Sequence, residues 1–165
     1  MADQPWKTDD YFVSPWNYEP QAREGFEPPA RVVVHDVTLR DGEQQAGVVF
    51  TPDDKLRIAE ALAEAGVDRI GAGLPAVSPA DLEAVKRIVA AGLPSRVFAF
   101  SRCMVSDVEL ALEAGVEGIV MEVPSSRHII ELAYRWPYER AIEATVESTR
   151  FAHEHGLEVI FFPID

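Results

Sequence analysis

From residue 31 onward the chain alternates short apolar, β-branched runs with longer segments whose apolar positions recur at helical spacing. Val32-Val33-Val34 reads as a first buried strand. Thr51-Pro52-Asp53-Asp54 then offers an N-cap, a proline at the first helical position and acids in the first turn. The helix it opens should bury Leu56, Ala59, Leu62 and Ala63 and turn Lys55, Arg57, Glu60 and Glu64 outward. Residues 67–74 read as a second strand. Ser78-Pro79-Ala80-Asp81 repeats the start signal for a helix through Leu82, Val85, Ile88 and Val89 that ends at Gly92. Residues 96–100 are a third strand, and Ser106-x-x-Glu109 is a capping box for a helix closing at Gly115. Residues 117–123 form a fourth strand. A helix from Pro137 to Gly156 and a fifth strand over 158–162 complete the pattern.

Strands alternating with capped helices predict right-handed βαβ units and a parallel sheet. The strand spacing suits an eight-stranded (β/α) barrel, but spacing alone leaves an open doubly wound sheet equally admissible. Residues 1–30 break the pattern. They carry five prolines together with Trp6, Tyr11, Phe12, Trp16, Tyr18 and Phe26, too many rings for a purely disordered tail. They read as an irregular amino-terminal arm whose rings pack on the main domain, residues 31–165, or on a partner subunit.

Composition narrows the partners. Fifteen basic against 28 acidic residues give a net charge of -13, which disfavours nucleic acid and anionic membrane surfaces as partners. No apolar run approaches the roughly 18 residues of a membrane span. Cys103 is the single cysteine, so no internal disulfide can form, as expected of a cytoplasmic protein, and it reads as a small buried filler.

The chemistry concentrates after the first strand, in His35-Asp36-Val37-Thr38-Leu39-Arg40-Asp41-Gly42-Glu43-Gln44-Gln45. In parallel α/β folds the loops at the carboxyl ends of the strands converge, and ligands bind there. Arg40 beside Asp41 sets a fixed cation next to a hard oxygen ligand, a pair suited to a divalent metal holding a carboxylate or keto oxygen. A bare Arg-Asp-Gly is as often a solvated turn.

The whole string is more specific. Asp36 through Gln44 resembles the signature of the metal-dependent acyl-CoA condensing and cleaving enzymes, which include the 2-isopropylmalate, homocitrate and citramalate synthases and hydroxymethylglutaryl-CoA lyase. The resemblance runs from about residue 31 to the end. It implies a TIM barrel, of which the chain supplies about five of eight strands. It implies a divalent metal (Mg, Mn or Zn) bound by Asp41, an enolate or keto oxygen steadied by Arg40, and a substrate near Gln44. Acetyl-CoA and a 2-oxo acid would be the substrates, and the protein a homo-oligomer. A lyase acting on a 3-hydroxy-3-methylglutaryl-type thioester and a non-catalytic ligand- or partner-binding fragment stand as alternatives.

Other strand ends would add Ser101, Arg102, Glu122, Ser125, Ser126, Arg127, His128 and Asp165 to the same mouth. Of these, Glu122 is the candidate substrate-binding carboxylate. Two departures matter. The second strand of these enzymes commonly reads Ile-Glu-x-Gly-x-Pro, whereas this chain has Ile70-Gly71-Ala72-Gly73-Leu74-Pro75, with Gly71 in the glutamate's place. In the family the metal site is completed by a His-x-His on a late strand, which would lie beyond residue 165. His153-Glu154-His155 does not replace it, because on a helix i and i+2 lie about 200° apart. These histidines read as helix-end residues complementing the dipole. With so few metal ligands, the chain by itself is expected to be inactive.

Overall fold

The computed structural model describes residues 4–165. The chain divides into two compact units, Met1–Val32 and Val33–Asp165. In the first, a 3₁₀ turn spans Pro15–Tyr18 and a single helical turn, α1, spans Pro20–Arg23. Its rings organise it: Trp6 and Tyr18 pack with centroids 5.6 Å apart, and the Tyr11 hydroxyl donates to the Pro5 carbonyl at 3.0 Å.

The second unit contains five parallel strands: β1 (His35–Asp36), β2 (Arg69–Gly71), β3 (Arg96–Arg102), β4 (Gly118–Pro124) and β5 (Glu158–Ile164). They hydrogen-bond in the order β1-β2-β3-β4-β5. A doubly wound sheet needs a switch point in its strand order, and this sheet has none. Strictly consecutive order belongs to a curled part-barrel, with α2 (Pro52–Glu64), α3 (Pro79–Ala90), α4 (Val105–Ala114) and α5 (Tyr138–Glu154) as the outer layer. The core lies between the layers. Ile70, Val97, Ile119 and Met121 from the sheet meet Ala59, Val85, Ile88, Val108 and Ala152 from the helices.

Local signals explain most of the boundaries. Thr51 caps α2 through a full capping box with Asp54, and the Ser78 hydroxyl accepts from the Asp81 amide at 3.2 Å to start α3. The α4 helix closes at Gly115 in the left-handed region, φ +78°.

The first strand differs from expectation. Val32, Val33 and Val34 are 70%, 44% and 53% exposed; the Val34 carbonyl accepts from the Arg69 amide at 3.0 Å, and the strand ladder proper begins at His35. β1 is an edge strand with one neighbour, so its β-branched run has no second strand or covering layer to bury it. β2 is shorter than residues 67–74, although its ladder continues irregularly: Ala72 donates to Phe98 O and Phe100 donates to Gly73 O, each at 2.8 Å. The expected Ser106 capping box does not form. Met104 is the N-cap and Val105 the first helical residue, so Ser106 lies inside the first turn, beside Asp107, which accepts from the Arg102 guanidinium at 2.8 and 2.9 Å. Lys55, expected outside, is buried. The π-helical turn Ile129–Ala133 had no signal in the apolar spacing.

On the concave face, Phe98 of β3 is in register with Gly118 of β4, which pairs in turn with Glu158 of β5. A Cβ on Gly118 would fall 2.3 Å from the Phe98 ring, so the ring occupies the space a side chain there would need. Below it, Glu158 accepts from Arg69 at 2.6 Å and also pairs with Arg96. These contacts close the amino-terminal end of this face with charge and leave the carboxyl end open.

Candidate functional site at the carboxyl ends of the strands

Arg40 is the centre of that open end. After β1 the backbone turns tightly, with the amides of Arg40 and Asp41 donating to the Val37 carbonyl at 3.0 and 2.7 Å. Leu39, fully buried, anchors the turn in the core. The guanidinium lies flat on Phe100, 3.5 Å from the ring centroid. One nitrogen donates to Asp41 Oδ1 at 3.0 Å and the other faces Glu122 Oε2 at 3.6 Å. The aromatic face and two carboxylates hold an otherwise mobile side chain in one orientation.

An open cleft of about 490 Å³ spreads from this group, bordered by Arg40, Glu43, Gln44, Gly73, Arg102 and Glu122. The structure thus brings Arg40, Gln44 and Glu122 to one cleft, with Asp41 beside it through its contact with Arg40. Asp41 is the most open of the charged groups, 58% exposed. Arg102 borders the cleft but is tied to Asp107.

Other expected mouth residues are engaged elsewhere. Ser101 is fully buried and donates to the Arg102 carbonyl at 2.7 Å. Ser125 donates to the carbonyls of Ile164 and Asp165, and Ser126 accepts from the Ile129 amide. Arg127 pairs with Glu131 at 3.7 Å and lies over Tyr138. The histidines of the last helix behave as expected: His155 stacks on Phe151 and contacts its carbonyl oxygen at 2.8 Å through Nδ1. Cys103 is buried, and burial raises its thiol pKa.

Beneath the loop lies a buried ion triad. Lys55 of α2, 4% exposed, reaches Glu43 Oε2 at 2.7 Å and Asp81 Oδ1 at 2.9 Å. Glu43 also accepts from the Phe50 amide. Burial alone would lower the Lys55 pKa, but hydrogen bonds and charge from Glu43 and Asp81 raise it overall. The triad ties the motif loop to the start of two helices. The sequence signal for it is faint: a lysine on the polar edge of α2, one acid in the motif loop and one in the first turn of α3.

Asp41 is the one largely exposed carboxylate beside the cleft, Glu43 and Glu122 being engaged by Lys55 and Arg40. No group of three or more His, Cys, Asp or Glu side chains able to hold a metal occurs among the described residues. The residues present therefore do not complete a metal site. Nor is any helix among them long and apolar enough to cross a membrane.

Consecutive parallel strands, an outer layer of helices and a polar cleft at the strands' carboxyl ends define part of a (β/α) barrel. The chain belongs to the HMGL-like family, whose model matches residues 31–165. It is similar to a homocitrate synthase of Methanopyrus kandleri, 40% identical over 133 residues, covering 81% of this chain and 34% of that protein. It is also similar to 2-isopropylmalate synthase 2 of Caldanaerobacter subterraneus, 36% identical over 134 residues, covering 81% of this chain and 35% of that one. The chain thus spans about a third of the length of these relatives. Its fold matches the crystal structure of the HMG-CoA lyase of Bacillus subtilis with a TM-score of 0.66 at 19% identity, over 81% of this chain and 46% of the lyase.

Proposed function

We propose that this chain is the motif-bearing part of a divalent-metal-dependent acyltransferase that condenses acetyl-CoA with a 2-oxo acid. The observation that carries the reading is Arg40, fixed on Phe100 between Asp41 and Glu122 over an open cleft. A guanidinium so held is preorganised to donate to an oxygen on which negative charge develops, with no reorganisation at the moment of reaction.

In this reading the keto oxygen of the 2-oxo acid lies against Arg40 while the enolate of acetyl-CoA attacks the keto carbon. Arg40 stabilises the alkoxide that forms, and hydrolysis of the thioester releases CoA. Glu122 keeps the guanidinium turned toward the cleft, and Gln44 at its rim hydrogen-bonds the substrate. Asp41 would offer one carboxylate ligand to a divalent cation, which would supply Lewis-acid polarisation of the bound acid. The cation's remaining ligands are not among the described residues, so the isolated chain should be catalytically silent.

Isothermal titration with Mn²⁺ in the presence of a 2-oxo acid tests the reading. Weak binding that Asp41→Ala abolishes and Arg40→Ala reduces, with no CoA release from acetyl-CoA, is the expected result. Binding indifferent to both substitutions overturns it and leaves the non-catalytic alternative in its place.

A further inference from the structure

Two loops wall the cleft beside Arg40, and one buried ammonium reaches both. The loop between β1 and α2 brings Arg40, Glu43 and Gln44 to the cleft. The loop between β2 and α3 brings Leu74 and Val77, with Asp81 from the first turn of α3. Lys55 Nζ lies 2.7 Å from Glu43 Oε2 and 2.9 Å from Asp81 Oδ1, one carboxylate from each wall. An ammonium buried at such a point is costly unless its partners surround it. Here they come from separate loops, so that cost is offset in full only when both walls are in place.

The loop that carries Arg40 is held on both sides of it. Before Arg40, the Asp36 carboxylate accepts from the Thr38 amide at 2.8 Å and the Thr38 hydroxyl at 3.1 Å, and Leu39 is fully buried. After it, both oxygens of Glu43 are engaged, Oε1 by the Phe50 amide at 3.1 Å and Oε2 by Lys55. Two residues separate Arg40 from that second anchor, and the Gln44 amide donates to the Asp41 carbonyl across them at 3.1 Å. A shift of Glu43 is therefore passed to Arg40 within a single turn. In the second wall, Asp81 Oδ2 accepts from the Ser78 hydroxyl at 2.6 Å, which leaves Oδ1 to Lys55. The same ammonium thus fixes the back of the motif loop and the start of α3.

We propose that Lys55 is a positioning residue for the cleft: through Glu43 it seats the Arg40 guanidinium on Phe100, and through Asp81 it holds the second wall in register with the first. As a statement about binding, the inference rests on the reading of Arg40 given above. Lys55 touches no ligand. Its removal lowers the fraction of chains with both walls in place, and apparent affinity falls in proportion to that fraction. A supporting group of this kind governs how closely a binding residue keeps its productive geometry.

The seat of Arg40 can be read without ligand or metal. Its guanidinium carbon lies 3.5 Å from the Phe100 ring centroid, so the ring current should displace the Arg40 Hε resonance upfield in the labelled 165-residue chain, and Phe100→Leu should abolish the displacement. Lys55→Met should lose it and also move the methyl resonances of Leu74 and Val77. Glu43→Gln should disturb the Arg40 signal alone, and Asp81→Asn the two methyl signals alone. Val108→Ala, a core truncation in α4 that lowers Tm, should leave all of them in place and so separates positioning from general destabilisation. Glu43→Gln keeps an acceptor for the Phe50 amide and leaves the Lys55–Asp81 pair intact, so it decides the first arm even if Lys55→Met unfolds. By calorimetry with Mn²⁺ present, a seated fraction of about one tenth in Lys55→Met weakens 2-oxoisovalerate binding about tenfold. An Arg40 signal that Lys55→Met and Glu43→Gln leave in place, or that Val108→Ala moves as far, overturns the inference, as does unchanged affinity in Lys55→Met. Wild-type binding that is undetectable or indifferent to Arg40→Ala overturns the reading of Arg40 instead, and the ligand-free resonances then decide the role of Lys55 on their own.

Discussion

Replacing Lys55 with Met would take away the cation that Glu43 and Asp81 share while preserving most of the buried side-chain volume. Breaking a fully buried pair typically costs about 3–5 kcal/mol, because the remaining charge is left uncompensated. Here both carboxylates are about a quarter exposed and can regain water, which reduces the expected loss to about 2–3 kcal/mol. For a unit of this size that corresponds to a fall in Tm of roughly 6–12 °C, read by circular dichroism at pH 7. The loss should be local as well as global. Amide exchange over the motif loop should accelerate in Lys55→Met, since Glu43 ties that loop to α2, while β3 and β4 keep their protection. The pH dependence has a definite sign. The folded-state pKa of Lys55 is raised above 10.5, so its stabilisation is complete below that value and is lost as pH rises through the folded pKa. Asp81 is shifted the other way. Burial opposes ionisation, but the Ser78 hydroxyl and Lys55 outweigh it, so the Asp81 contribution is present above pH 3.8 and fades as pH falls through its lower folded pKa. Lys55→Met with a Tm within 2 °C of wild type and unchanged loop exchange would refute the clamp.

Three further substitutions or probes address separate parts of the fold. Gly118→Ala should overpack the concave face against Phe98 and lose about 1–3 kcal/mol by thermal unfolding, whereas Phe98→Leu in the same background should recover part of it. Thr51→Ala removes the capping box of α2 and should cost about 1 kcal/mol by urea titration, with no change in m-value. Cys103, buried with its thiol pKa raised, should react with a disulfide reagent at pH 8 at least about a hundredfold more slowly than in urea-unfolded chain.

What could be read in the sequence and what could not divide along a physical line. Helix starts at Thr51 and Ser78 and the stop at Gly115 were legible because each is decided within four or five residues. The parallel β/α layout followed from period alone, and consecutive strand order then separated barrel from open sheet. Long-range competition decided the rest. Ser106 fails as a cap because the helix begins one residue earlier, at Val105, next to the Arg102–Asp107 pair. Lys55 is buried because two acids from other elements meet it. The exposure of Val32–Val34 reflects an edge position that no local pattern encodes. At the site, Arg40, Asp41, Gln44 and Glu122 could be singled out in sequence; Arg40, Gln44 and Glu122 border one cleft, and Asp41 lies beside it, accepting from Arg40. That the His35 imidazole would turn away and lie against Gly71 was not legible, since its position depends on β1 pairing with β2.

The central claim is that the loop carrying Arg40 and Asp41, not the histidine pair at the end of α5, is where a metal and a 2-oxo acid meet. Paramagnetic line broadening by substoichiometric Mn²⁺ in the ¹⁵N-labelled chain, with 2-oxoglutarate present, locates that meeting point directly. The account predicts broadening centred on Asp41 to Gln44 and extending to Glu122, lost in Asp41→Ala. Broadening centred on His153 and His155, or a pattern that Asp41→Ala leaves intact, would contradict it.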